Sequence, residues 1–381
     1  MIQSLPETAR TLSRLRPPVP YSDTVEQIQP DETRINQGLE KQLRHIITTV
    51  DRDYDEAYRG VHAKSHALLK GTFTVHDGLP AELAQGLFSR PGRYRADLRI
   101  SSVIGDPLCD AVSVPHGFAV KVNDVPPDLG GGLLPENDGV PVQDFLFASG
   151  LTFATPSMEE FLKLFTLLSL TTDRFLFLKI MLSRVLRRVS ALAERFNIAL
   201  PGMVGALGGF LPFNPLAGRY GSQAAIRYGA YMAKLDIVPE SENFRNLATD
   251  LINVDYDPDA IRHHLWKIFQ HEGGSWTLRA QLCRDLAENP IENAAQPWPE
   301  KDNPYLPVAT IRVDPQDSWS MDRAVPMEEE LAYSPWHGLK AHRPLGVVQR
   351  TRRVVYPFSA RLRGRLDHCP VFAAIPRRKT D

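Results

Sequence analysis

The chain has 381 residues, 43% of them hydrophobic and 23% charged, which is enough to bury a substantial core. Its 44 basic and 45 acidic residues leave a net charge of -1, which removes the electrostatic footprint expected of a nucleic-acid-binding protein. Cys109, Cys283 and Cys369 are widely separated and form no C-x-x-C pair, so neither a disulfide framework nor a zinc knuckle is indicated, and the thiols read as inert in a reducing compartment.

In chain order, residues 1–35 are polar and proline-containing, and read as an N-terminal arm lying over the body or over a partner subunit, which leaves a homo-oligomer open. The opening MIQSLPETARTLSRLRPP holds no apolar core of signal-peptide length, so a cytoplasmic protein is expected. Residues 36–67 have helical spacing and lead to His62. After Gly71 the pattern turns to alternation in GTFTV, RADLRISSV, HGFAVKV, VQDFLFA, AYMAKLDIV, SWTLRAQL and PVATIRV. Strands in that number predict an antiparallel barrel, with residues 36–381 as one domain. The loop at 126–139 is glycine-rich but lacks the lysine and following helix of a phosphate cradle. Residues 158–210 are long and strongly apolar, yet Asp173, Lys179, Arg184, Arg187 and Arg188 interrupt them, which argues against a transmembrane span. Three roles stay open for this segment: helices packed as core, an entry channel lined by Phe165, Leu168, Phe175, Phe177 and Phe196, or peripheral contact with a membrane.

Near the C-terminus, RRVVYPFSARLR places Arg352 four residues before Tyr356 and Arg363 seven after it. On a helix all three share a face, so two guanidiniums flank one phenol. A nearby cation favours phenolate, a hard anionic ligand suited to ferric iron, and the segment reads as a haem ligand. Far upstream, YRGVHAKSHALLKG carries Arg59, Val61 and His62, followed by LRISS with Arg99 and Ser101, and then by HGFAVKV. Together and in this order these strings resemble the haem catalase superfamily. SPWHGLKAHRPLG at 334–346 is similar to its short, catalase-related haem peroxidase branch.

The resemblance implies an α+β fold, a catalase-like antiparallel β-barrel with surrounding helices, and haem b (iron protoporphyrin IX) as cofactor. It implies His62 as the catalytic histidine, Ser101 as the hydrogen-bond partner of its imidazole, and Tyr356 as the iron ligand beside Arg352. Arg59, Arg99 and Arg363 become partners of the two propionates, and Val61, Phe153 and Phe161 further cofactor contacts. His66 and His76 are read as structural. The implied reaction is reduction of hydrogen peroxide or an organic hydroperoxide, with an electron donor that the sequence does not identify.

Three departures from the classical pattern shape that expectation. Ser149 stands where catalases carry a distal asparagine, which implies weak catalase activity and a hydroxyl reaching peroxide through water or not at all. Gly346 replaces an aspartate that would contact the ligand arginine, and Asp236 is expected to supply the missing carboxylate to Arg352. Pro357, directly after the ligand, is expected to bend its helix. Two rivals remain: a fatty-acid hydroperoxide isomerase or lyase of allene oxide synthase type, disfavoured by Val61 where those enzymes have threonine, and a non-catalytic haem sensor or carrier, disfavoured by the pairing of His62 with Ser101.

Overall fold

The computed structural model describes residues 5–196, 198, 200, 202–324, 327–328 and 331–367. Its strands are β1 (Ser65–Val75), β2 (Gly92–Ser102), β3 (His116–Val122), β4 (Gln143–Ser149), β5 (Tyr220–Gly221), β6 (Ile226–Tyr228), β7 (Tyr231–Pro239), β8 (Gly274–Leu282) and β9 (Leu306–Val313). Every pairing among them is antiparallel, in the order β5-β4-β3-β2-β1-β9-β8-β7-β6. A further pairing, Tyr220 with Ile237 and Gly221 with Asp236, joins β5 to β7 and closes an eight-stranded barrel, leaving β6 as a short hairpin arm on β7. Closure removes the exposed edges that an open sheet would carry.

Alternation along the strands fills the interior. Phe118, Val120 and Val122 of β3 share a core with Phe73, Phe145, Leu235, Trp276 and Ile311, all 5% exposed or less. Phe118 stands edge-on to Trp276 at 5.1 Å between ring centres, and Phe73 stacks on Phe145 at 6.0 Å.

The helices are α1 (Leu5–Leu12), α2 (Glu32–Tyr54), α3 (Met158–Leu170), α4 (Leu176–Arg195), α5 (Gly202–Ala206), α6 (Glu242–Asn246), α7 (Ala260–Phe269), α8 (Met321–Ala324) and α9 (Val347–Leu366). A second core forms where the apolar stripe of α2 (Ile35, Leu39, Leu43, Ile46, Val50) meets Phe165 of α3 and Val348 and Val355 of α9. The space between this helical layer and the barrel forms a cavity. Among the described residues no helix is long and apolar enough to cross a membrane.

The structure refines several expectations. The helix expected over 36–67 ends at Tyr54, where Asp55 turns left-handed at φ 55°, and β1 begins at Ser65. His62 therefore sits in the loop between them. The stretch after α1 lies over the barrel of its own chain: Val19 N donates to Cys283 O and Tyr21 N to Ala230 O, both at 2.8 Å, and Arg16 pairs with Asp285. α9 continues past Pro357 with Tyr356 inside it. Cys109 and Cys283 are free thiols, the latter pushed up to about 12 by burial, while Cys369 lies outside the described residues.

Candidate functional site

A cavity of about 2570 Å³ lies between the barrel and helices α2, α3 and α9. It brings together every site residue expected from the sequence: Arg59, Val61, His62, Arg99, Ser101, Ser149, Phe153, Phe161, Arg352, Tyr356 and Arg363 all line it.

His62 adopts φ 56°, a left-handed conformation uncommon for residues other than glycine, and its N–H donates to Val103 O at 3.2 Å. Arg99 Nη2 donates to the His62 carbonyl at 2.8 Å and helps hold that conformation. Ser101 Oγ stands 3.1 Å from Nδ1, which leaves Nε2 without a partner in this pair. The ring passes over Gly117 so closely that a Cβ there would lie 2.4 Å from both Cε1 and Nδ1. Burial first, then the charges of Arg99, Arg352 and Arg59, lowers His62 to about 3, so the imidazole is neutral at ordinary pH.

Cations gather on one side of the cavity. Arg59 and Arg99 both close on a single carboxylate, Glu328, with Arg99 Nε 2.8 and 3.0 Å from its two oxygens. Burial, reinforced by neighbouring guanidiniums including Arg363, pulls Arg59 well below its usual value, and burial pulls Arg99 down to about 9. Tyr333 adjoins them, and its buried hydroxyl has no hydrogen-bond partner among the described residues. Two buried guanidiniums and a third half-buried one near a single carboxylate, with an orphaned phenol beside them, suit a ligand that brings further negative charge.

From α9, Arg352, Tyr356 and Arg363 line the same cavity at the i, i+4, i+11 spacing read from the sequence. Tyr356 is partly buried with Tyr58, Val61, Phe153 and Phe161 around the helical core, and Phe153 and Phe161 stand 5.0 Å apart between ring centres. Aromatic and aliphatic walls, a group of arginines and a phenol lining one cavity fit a largely apolar group that carries negative charge, such as haem. Among the described residues no three His, Cys, Asp or Glu side chains group to hold a bare metal ion.

One expectation changes. Asp236 does not reach Arg352. It lies on β7 directly opposite Arg279 of β8, which donates to it at 2.9 and 2.6 Å, and Arg219 adds a third contact at 2.7 Å. A cross-strand arginine captures this carboxylate on the barrel, while Arg352 donates to Gln349 Oε1 at 3.4 Å. Ser149 lines the cavity, but its hydroxyl accepts from His116 N at 3.1 Å and donates to His116 O at 3.2 Å, so the β3 backbone engages both its functions. His66 and His76 bond Ser102 and Thr310 at 2.9 and 3.0 Å, in keeping with structural roles. Glu328 and Tyr333 were not foreseen. They lie about 230 residues beyond Arg99, and an acidic run such as MEEEL reads locally as solvated surface.

No family model matches the chain, and no curated protein matches it by sequence. Solved structures do match. A fungal catalase superposes with a TM-score of 0.56 and 17% identity over 85% of this chain and 64% of its own. Catalase A from Saccharomyces cerevisiae gives 0.55 and 16% over 85% and 65%, and a bacterial catalase 0.51 and 14% over 95% and 66%. The chain thus accounts for less than two thirds of each of these proteins. Strand order, barrel closure and these superpositions agree: this chain has a catalase-like fold.

Proposed function

We propose that the protein is a haem-dependent peroxidase that reduces hydrogen peroxide or an organic hydroperoxide, with weak catalase activity. The observation that carries this reading is the neutral, partly buried imidazole of His62, fixed by Ser101 at Nδ1, in the same cavity as Tyr356 and the arginine cluster. Arg59, Arg99 and Arg363, with Tyr333, would hold the propionates, and Tyr356 the iron, with Arg352 one helical turn before it. When bound, haem supplies two-electron redox chemistry at its iron.

The chain's own residues handle the proton. His62 takes it at Nε2 from one peroxide oxygen and returns it to the other, which leaves as water from hydrogen peroxide or as an alcohol from an organic hydroperoxide. A neutral ring is required for the first act, and the low affinity of His62 for protons aids the second. Ser149, tied to the β3 backbone, offers a second peroxide no free amide to orient it, in keeping with low oxygen release.

A second reading is favoured by size. At about 2570 Å³ the cavity exceeds the roughly 300–1,000 Å³ typical of small-molecule sites and has room for a macrocycle and an acyl chain together. An organic hydroperoxide is therefore the preferred oxidant, and an isomerase or lyase of allene oxide synthase type is the alternative outcome. A mere haem carrier would have no use for the His62–Ser101 pair.

The test is to load the protein with haem and mix it rapidly with hydrogen peroxide, then with a fatty-acid hydroperoxide, recording oxygen, donor oxidation and lipid products. Donor-dependent consumption with little oxygen supports a peroxidase, and rearranged lipid without donor supports the isomerase. Tyr356→Phe should lose haem or shift its spectrum; an unchanged spectrum removes Tyr356 as ligand.

A further inference from the structure

The helix α4 has no counterpart in the chemistry described so far. Its sequence, LFLKIMLSRVLRRVSALAER, would bury an apolar stripe in an ordinary globular packing, yet only Ser183 and Ala193 are buried. The stripe faces outward instead. Phe177, Met181, Val185, Val189 and Leu192, recurring every three or four residues, are 41–77% exposed, and Phe196 continues the row at 64%. An apolar surface of this continuity marks a contact site.

The charges beside the stripe show what kind of contact. The helix carries five basic residues and one acid, Glu194. Asp106 engages Lys179, and Asp255 engages Arg184 and Arg187. Arg188 and Arg195 project along the edge of the stripe, Arg174 precedes the helix, and all three are exposed with no ion-pair partner among the described residues. A second copy docking across this face by two-fold symmetry would set basic helix against basic helix. An anionic lipid surface satisfies both halves at once, its acyl region taking the stripe and its headgroups the arginines.

The cavity opens beside this face, along the adjoining side of α4. Leu167, Phe175, Leu178, Leu182, Ile198 and Leu200 each line the cavity and are each more than a third exposed, so its mouth opens among the outward apolar side chains.

We propose that α4 lies in the surface of an anionic bilayer, with the cavity mouth turned to the acyl region, so that amphiphilic acyl ligands enter from the membrane. The partition itself does not rest on the haem chemistry, because it is read as binding rather than turnover.

The test is co-sedimentation of the full-length protein with phosphatidylcholine vesicles containing about one third phosphatidylglycerol, and with phosphatidylcholine alone. Wild type should pellet with the anionic vesicles, and release as salt rises. Phe177→Gln with Val185→Gln and Leu192→Gln, all exposed, should lower the partition coefficient by roughly tenfold or more with thermal stability unchanged. Arg188→Glu with Arg195→Glu should lower it on anionic vesicles while leaving the weak binding to phosphatidylcholine alone. Brominated acyl chains should quench a Phe177→Trp variant. Wild type remaining in the supernatant with both vesicles, or a triple variant binding like wild type, overturns the proposal. So does a dimer seen by sedimentation equilibrium that the triple variant splits, since a second copy would then cover the face.

Discussion

At the scale of single residues, His62 holds an uncommon backbone conformation with its ring against a glycine. A left-handed φ at a non-glycine costs of order 1–3 kcal/mol and persists only where neighbours enforce it, here Arg99 at the carbonyl, Val103 at the amide and Ser101 at the ring. His62→Ala should slow the reaction with peroxide by roughly 100-fold or more while haem content holds, the usual effect of losing a positioned acid and base. Gly117→Ala should reproduce most of that loss without touching the histidine, because its Cβ takes the space of the ring, and should cost about 1–3 kcal/mol in unfolding free energy. A Gly117→Ala enzyme with wild-type peroxide kinetics would mean that the imidazole works from another position. Ser149→Asn has two effects that pull apart. An amide facing the cavity should raise oxygen release by at most about fivefold, as one good hydrogen bond in the transition state allows. Loss of the two bonds to His116 should lower stability by about 1–2 kcal/mol, measured by thermal or urea unfolding.

At the scale of elements, α9 was readable because helical periodicity is local: spacings of four and seven residues put Arg352, Tyr356 and Arg363 on one face whatever surrounds them. What could not be read was what crosses between elements. Asp236 looked available to Arg352 until the register of β7 against β8 placed Arg279 opposite it. β5 and β6, two and three residues long, are too short to show alternation, and the helical pattern of 36–67 carried no signal for the loop that holds His62. The anchoring of α9 was equally hidden. Two residues before Arg352, Arg350 receives three carboxylates, Glu26, Glu32 and Glu292, through bonds of 2.6–3.1 Å. This cluster pins the start of α9 to the N-terminal segment and to the loop after β8. Arg350→Ala leaves Glu32 and Glu292 partly buried without their guanidinium, while Glu26 keeps Arg343, and should destabilise the protein by about 3–5 kcal/mol. Its haem affinity should fall as well, since the tyrosine helix loses its anchor. A variant that unfolds at the wild-type urea midpoint would show the cluster to be ornamental.

For the whole molecule, the buried histidines set a pH window. Burial lowers His62 to about 3, and His116 and His342 to about 4, against an ordinary value near 6.5 in the unfolded chain. The unfolded state therefore binds protons that the native state refuses. Stability is full above about pH 6.5 and falls as pH drops toward the folded values. By pH 4 each such histidine costs on the order of 3 kcal/mol. Urea midpoints measured from about pH 7.5 down to about pH 4.5 should decline steadily, and a flat profile would show that these rings are protonated in the folded protein. The barrel adds a constraint of another kind. β1 pairs with β9, so residues 71–75 wait for residues 309–313 before the ring can close. Contacts this far apart in sequence form late, after the chain has surrendered the entropy of a long loop. During synthesis His62 emerges early, but the barrel that flanks it closes only when β9 arrives, and α9 with Tyr356 follows β9. A product cut short before residue 306 exposes unpaired edges on β1 and β8 that favour aggregation.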